Sequence, residues 1–170
     1  MATEAFRGEV YQKIDSKARV SIPAAFRRIL EAEAGLADAD ARPKVYMVYG
    51  GRNRSFVECY SKVGADLLAA KIEAMEMGSP ERDRAERDLI SRSVMVEIEP
   101  DGRVVLPAPV RAKMGFGADD LAGGAEAAFA GFTNRFKLFR RDIYDAEKAA
   151  EDDGDGSDPL ALVGRAARTP

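Results

Sequence analysis

Two stretches of this chain place an acid and an arginine four positions apart around a polar turn. The first is IDSKARVSIPAAFR, residues 14–27; the second, IEPDGRVVLPAPVR, residues 98–111, begins 84 positions later. In each, an apolar residue and the acid precede the turn. Arg, two residues, an apolar residue, Pro, three residues and a second Arg follow. Asp15 with Arg19, and Glu99 with Arg103, stand at the two ends of their turns, where a carboxylate can hold a guanidinium fork in one orientation. Left on a bare surface, such pairs are ordinary ion pairs of small consequence. Aimed outward, the arginines suit bidentate contact with phosphate or guanine edges. Lys17, at the tip of the first turn, would add a phosphate contact. Arg27, Arg28, Arg111 and Lys113 flank the short helices that follow and would widen a basic face or simply be solvated.

The elements that must position these side chains follow from the local pattern. FRGEVYQKID alternates as a strand ending near Ile14, SKA is the turn, and RVSIP is a short strand stopped by Pro23. AAFRRILEAEAG then puts Phe26, Ile29 and Leu30 on one helical face, with Gly35 as C-cap. KVYMVYGGRNRSFVECYS reads as a hairpin, with Gly50 and Gly51 suited to positive φ. In KVGADLLAAKIEAMEMG, Leu67, Leu68, Ile72 and Met75 recur at helical spacing. SPERDRAERDLISRS opens a further helix, with Ser79 as N-cap and Pro80 in the first turn. The second copy repeats strand, turn, strand, Pro and short helix, and its later hairpin centres on GFTNRF. In EPDGR, Pro100 and Asp101-Gly102 favour a tight reversal. The first turn has Ala18 where the second has Gly102. Either Ala18 carries a left-handed backbone at a cost of about 1–2 kcal/mol, or the first turn is of another type.

Composition narrows the chemistry. The 170 residues contain no His and one Cys, which excludes a His-based triad, a Cys/His zinc site and an intrachain disulfide. Cys59, in the alternating stretch SFVECYSKV, reads as a buried core thiol. Paired acids such as Asp119-Asp120 and Asp152-Asp153 read as solvated, and neither GGR nor GFG makes a phosphate-binding fingerprint. We therefore expect no enzyme, cofactor, metal or small-molecule substrate. No apolar run is long enough to span a bilayer and the N-terminus lacks a secretory h-region, so a cytoplasmic protein away from membranes is expected. The net charge of −3 is unevenly spread. Residues 145–170 hold seven acids against three bases, whereas residues 6–28 hold six bases against two acids. Because charge is screened over roughly 8–10 Å in physiological salt, the overall acidity does not argue against a nucleic-acid partner.

Internal duplication is the strongest organisational signal. Each copy, residues 5–78 and 79–148, is too small to bury a comfortable core alone. The expected architecture is therefore α+β and β-rich, with two tandem repeats packed as one intramolecular pseudo-dimer. Residues 149–170 are acidic and rich in Gly and Pro, and read as a disordered tail.

The two motifs together resemble the MraZ family, bacterial proteins with two SpoVT-AbrB-type modules in one chain, over roughly residues 5–148. The family's D-x-x-x-R pattern is met by Asp15 and Arg19. In the second copy Arg103 is kept but Glu99 replaces Asp, and Ala18 departs from the usual Gly. The resemblance implies an AbrB-like swapped-hairpin barrel that assembles into homo-oligomeric rings. It also implies a nucleoid-associated regulator, commonly a repressor, that binds short direct repeats in double-stranded DNA upstream of the division and cell-wall gene cluster. Asp15, Lys17, Arg19, Arg27, Glu99, Arg103 and Arg111 would then form the DNA face. Two other readings use the same turns to hold a protein partner: a ring-forming scaffold, or an AbrB-type antitoxin.

Overall fold

The computed structural model describes residues 4–34, 42–154 and 156–166. Eight strands form one antiparallel sheet: β1 (Glu9–Ile14), β2 (Arg19–Ser21), β3 (Lys44–Val48), β4 (Val57–Tyr60), β5 (Ser93–Glu97), β6 (Arg103–Val105), β7 (Ala125–Phe132) and β8 (Arg135–Arg140). Their spatial order is β5-β3-β4-β8-β7-β1-β2-β6. The sheet curls into a nearly closed barrel. Its two ends, β5 and β6, meet at the second turn, where Glu99 N donates to Arg103 O at 2.8 Å.

This order interleaves the two halves of the chain. β1 pairs with β7 along its whole length, and in the same way β5, its counterpart in the second half, pairs with β3. β2 pairs with β6, and β4 with β8. In the β2–β6 ladder Val20 lies opposite Val104, the residue 84 positions later in the duplication. In the β4–β8 ladder Glu58 lies opposite Lys137. A pseudo-twofold axis through these two ladders accounts for every pairing between the halves. Neither half closes a sheet without strands from the other, which is the swapped-hairpin barrel expected from the sequence.

The core is correspondingly shared. Phe26 from the first half stacks on Phe136 from the second, with centroids 4.9 Å apart, and Phe6 and Phe129 complete the cluster at 5.2 and 6.0 Å from Phe136. Val20 and Val104 point inward and are almost wholly buried, as are Ile22 and Leu106. Cys59 is fully buried, and desolvation pushes its thiol pKa up. Helix α1 (Ala24–Ala34) buries Phe26, Ile29 and Leu30 as its spacing predicts, while the Gly35 cap lies outside the described residues.

Other helices show where local pattern misleads. In α2 (Lys62–Glu73) Ile72 is buried but Leu67 is 59% exposed, so the apolar spacing there is only partly used. α3 (Pro80–Glu86) begins as expected: the Ser79 hydroxyl accepts from Arg82 N, and a π-helical turn, Arg87–Ser91, continues it. Gly51 takes a positive φ of 95°, but Gly50 does not. Its missing side chain instead admits the backbone of that π-turn, since a Cβ there would lie 2.0 Å from the Asp88 carbonyl oxygen. In the second half α4 (Ala108–Met114), α5 (Ala118–Ala122) and α6 (Arg141–Asp152) follow. The tail expected to be disordered carries a helix, α7 (Pro159–Ala166). Asp158 caps it by accepting from Leu160 N at 3.0 Å, and Pro159 supplies a first-turn residue that needs no N–H partner.

Candidate nucleic-acid interface

Both turns share one backbone frame. In the first, Ala18 N donates to Asp15 O and Asp15 N to Arg19 O, at 3.0 and 3.1 Å; in the second, Gly102 N donates to Glu99 O and Glu99 N to Arg103 O, both at 2.8 Å. Ala18 has φ 62° and Gly102 φ 85°. Both turns therefore demand a left-handed residue, and the first accepts the strain of an alanine there. Each turn is also held by the opposite half. Leu106 N donates to Ala18 O at 2.9 Å, and Ile22 N to Gly102 O at 3.0 Å.

The β2–β6 ladder then brings the two arginines together. Arg19 lies opposite Val105, and Arg103 opposite Ser21. Since alternate residues of a strand share a face, Arg19, Ser21, Arg103 and Val105 lie together on the outer surface, while Val20 and Val104 face the core. The Arg19 and Arg103 side chains are 42% and 44% exposed. A cleft of about 850 Å³ beside this ladder is lined by Lys13, Asp15, Arg19, Ser21, Arg103 and Arg141, among others.

Orientation of the arginines differs between the halves. Asp15 Oδ1 accepts from Lys17 N and Arg19 N, both at 2.9 Å, and its Oδ2 accepts from Arg19 Nε at 2.7 Å. These N–H groups, the Arg19 backbone amide foremost, hold the Asp15 carboxyl below its ordinary pKa. The Glu99–Arg103 pair expected by analogy is absent among the described residues. Glu99 pairs instead with Arg42 at 2.8 Å, because its longer side chain reaches past the turn. Asp101 takes the nearer position: its Oδ1 accepts from Arg103 N at 3.1 Å, while Arg103 Nε stays 3.9 Å from Oδ2. Lys17 is exposed at the tip, as its position suggests.

Arg27 and Arg111 are each drawn against the protein itself. Both are only partly exposed. Arg111 Nη1 donates to Leu106 O at 2.8 Å, and Lys113 Nζ to Gly51 O at 2.6 Å. Arg27 lies against Gly102 of the other half. Reasoning from the motifs missed Asp101 and also Arg141, which lines the cleft, donates to Glu126 at 2.6 Å and stacks over Tyr11 at 4.0 Å. Arg141 belongs to no turn; only the β1–β7 register, with Lys13 opposite Glu126, brings it there.

Taken together, these features define a tandem-repeat swapped-hairpin barrel with two outward arginine turns on one face. Comparison with known proteins says which such protein it resembles. No family model matches the chain. It is similar over 163 residues to a transcriptional regulator MraZ of Cereibacter sphaeroides, 46% identical with 94% of this chain and 96% of that protein covered. It is also similar to one from Ruegeria pomeroyi, at 39% over 85% and 83%, and to one from Neisseria gonorrhoeae, at 30% over 88% and 91%. The chain belongs to the MraZ family of transcriptional regulators.

Among the described residues no helix is long and apolar enough to cross a membrane, and no group of acids and cysteine could hold a metal ion.

Proposed function

We propose that the protein regulates transcription by binding double-stranded DNA through its two arginine turns. On this reading it represses the division and cell-wall gene cluster, gripping short direct repeats in the promoter as a homo-oligomeric ring. The observation that carries it is the placement of Arg19 and Arg103, one from each half, on the exposed face of the antiparallel β2–β6 ladder. Arginine forks exposed on such a ladder can engage guanine edges in a DNA major groove, or phosphates beside it. Lys13 and Lys17 add cationic reach to the same end of the molecule. A ring would present many such faces at once, and linked weak contacts bind tandem repeats far more tightly than one contact binds one repeat. The net charge of −3 does not oppose this, because the last 26 residues hold seven acids against three bases, which leaves the rest of the chain close to neutral.

The test is a titration of the promoter duplex and of random duplex at several salt concentrations, with wild type beside the Arg19→Ala/Arg103→Ala variant. The expected result is tight, promoter-preferring, steeply salt-dependent binding by wild type. The variant should keep its fold and oligomeric state, and its log K against log salt should flatten by about 0.9 for each phosphate it no longer neutralises. Equal, weak binding to both duplexes, unchanged in the variant, would overturn the reading and point the turns at a protein partner.

A further inference from the structure

Arg27 belongs by sequence with the residues that would touch DNA, yet its geometry describes a different task. It stands one helical turn into α1, held by Arg27 N donating to Pro23 O at 2.9 Å, and its side chain crosses to the turn of the opposite half. Were Gly102 to carry a Cβ, that atom would lie 2.0 Å from Arg27 Nη1, 2.7 Å from Cζ and 3.1 Å from Cδ. The guanidinium thus fills the space that a side chain at Gly102 would take. Its Nε is buried with no hydrogen-bond partner among the described residues, so this end of the fork is committed to packing rather than to solvent. The same strand-to-helix step also supplies Ile22, whose amide donates to Gly102 O at 3.0 Å. Gly102 is therefore clasped from both sides by the first half of the chain.

The pseudo-equivalent turn lacks this arrangement. Ala18 keeps its own methyl group at the corresponding place, and Arg111 spends its Nη1 on Leu106 O. In that turn Arg19 is oriented by Asp15. In the second turn Glu99 has turned away to Arg42, and Asp101 holds only the Arg103 backbone amide at hydrogen-bond distance. A turn without the side-chain clamp needs another support, and Arg27 occupies the place where one would act.

We infer that Arg27 is a positioning residue for the second turn: by packing into the gap at Gly102 it fixes the direction of Arg103 across the boundary between repeats. This rests on the DNA-binding reading for its consequence, but not for the packing itself. A planar guanidinium is required, because a lysine ammonium on a flexible stem cannot fill the same slot. A lysine would, however, replace an arginine that merely touched a phosphate as a point charge.

Two measurements on the full chain test it. Amide hydrogen exchange without DNA is followed for wild type, Arg27→Lys and Arg27→Ala. Exchange at Gly102 and Glu99 should speed by about tenfold in both variants, with Ala18 of the first turn unchanged. Promoter binding is then measured at several salt concentrations beside Arg103→Ala. Both Arg27 variants should lose up to about tenfold in affinity, the scale of ordering one loosened side chain on binding. Their salt slope should match wild type, whereas Arg103→Ala should flatten it. Wild-type affinity and exchange in Arg27→Lys would overturn the inference and make Arg27 a phosphate contact. Faster exchange at Ala18 to the same extent would also overturn it, since Arg27 would then support the barrel generally. If wild type shows no preference for the promoter, the functional reading fails while the exchange pattern still decides the role of Arg27.

Discussion

The first and second turns share a backbone frame and place their arginines on the same ladder, but they orient them by different means. In the first, a single carboxylate collects three N–H groups, two from the backbone and one from Arg19 itself. In the second, the equivalent acid is drawn away to Arg42, Asp101 substitutes from the other side of the turn, and a guanidinium from the other half sits beneath Gly102. Duplication preserved the position of the arginine and its left-handed neighbour while the support around it diverged. The turn whose acid holds its own arginine is therefore the one with the unfavourable residue at the left-handed position.

Exchanging those left-handed residues should break the comparison most sharply. Gly102→Ala adds backbone strain and drives a methyl into Arg27, and is expected to cost roughly 2–4 kcal/mol of stability. Ala18→Gly relieves strain but loses a buried methyl, so it should range from no change to a gain of about 1 kcal/mol. Denaturant unfolding of both variants at one fixed protein concentration reads the difference. Equal effects would mean that the second turn has room the structure does not show. Next in size, Arg19→Ala should weaken promoter binding by about thirtyfold and Arg103→Ala by about tenfold, near 2 and 1.4 kcal/mol. Arg19 leads because its fork is already held in place, so less freedom is given up on binding. A reversed order in the titration would remove the advantage assigned to the Asp15 clamp.

The acids sharpen the comparison further. Removing a negative charge from a DNA-facing surface should by itself raise affinity, so a fall is diagnostic of lost orientation. Asp15→Asn is expected to lower promoter affinity about fivefold, about 1 kcal/mol, the scale of one ordinary hydrogen bond. Glu99→Gln should change it by less than about twofold, because Glu99 serves Arg42. Isothermal titration of both variants decides this. A gain of affinity in Asp15→Asn would leave that residue as a simple surface charge.

How much of this was legible in the sequence depended on whether a feature was local. Turn positions, the Ser79 cap and the inward faces of α1 and the strands follow from neighbours within a few residues, and the duplication made the shared barrel a necessity of size. Partner choice was not local. Glu99 pairs with Arg42 of the other half, 57 positions away, a contact that no local pattern announces. Arg27 reaches Gly102, and Arg141 reaches the cleft, only once strands from both halves interleave. The α7 helix was obscured by composition: an acidic, Gly-containing stretch conceals an Asp-Pro start that a helix can use.

The smallest predicted effect concerns pH. The N–H groups around Asp15, with the Arg19 amide first, lower its folded-state pKa below the ordinary carboxylate value of about 3.9. A carboxyl whose pKa is depressed on folding contributes stability above its unfolded pKa and loses that contribution as pH falls through the folded one. The Asp15 contribution should therefore be constant from pH 7 to about 5 and decline only below about pH 4. Protonation there also removes the acceptor that aims Arg19, so the first turn should loosen over the same window. Amide exchange at Ala18 and Arg19, corrected for intrinsic pH dependence, should rise below pH 4 in wild type and stay level in Asp15→Asn. If both proteins gave the same profile, the carboxylate would not be what holds the first turn, and the contrast between the two turns would reduce to Gly102 and Arg27.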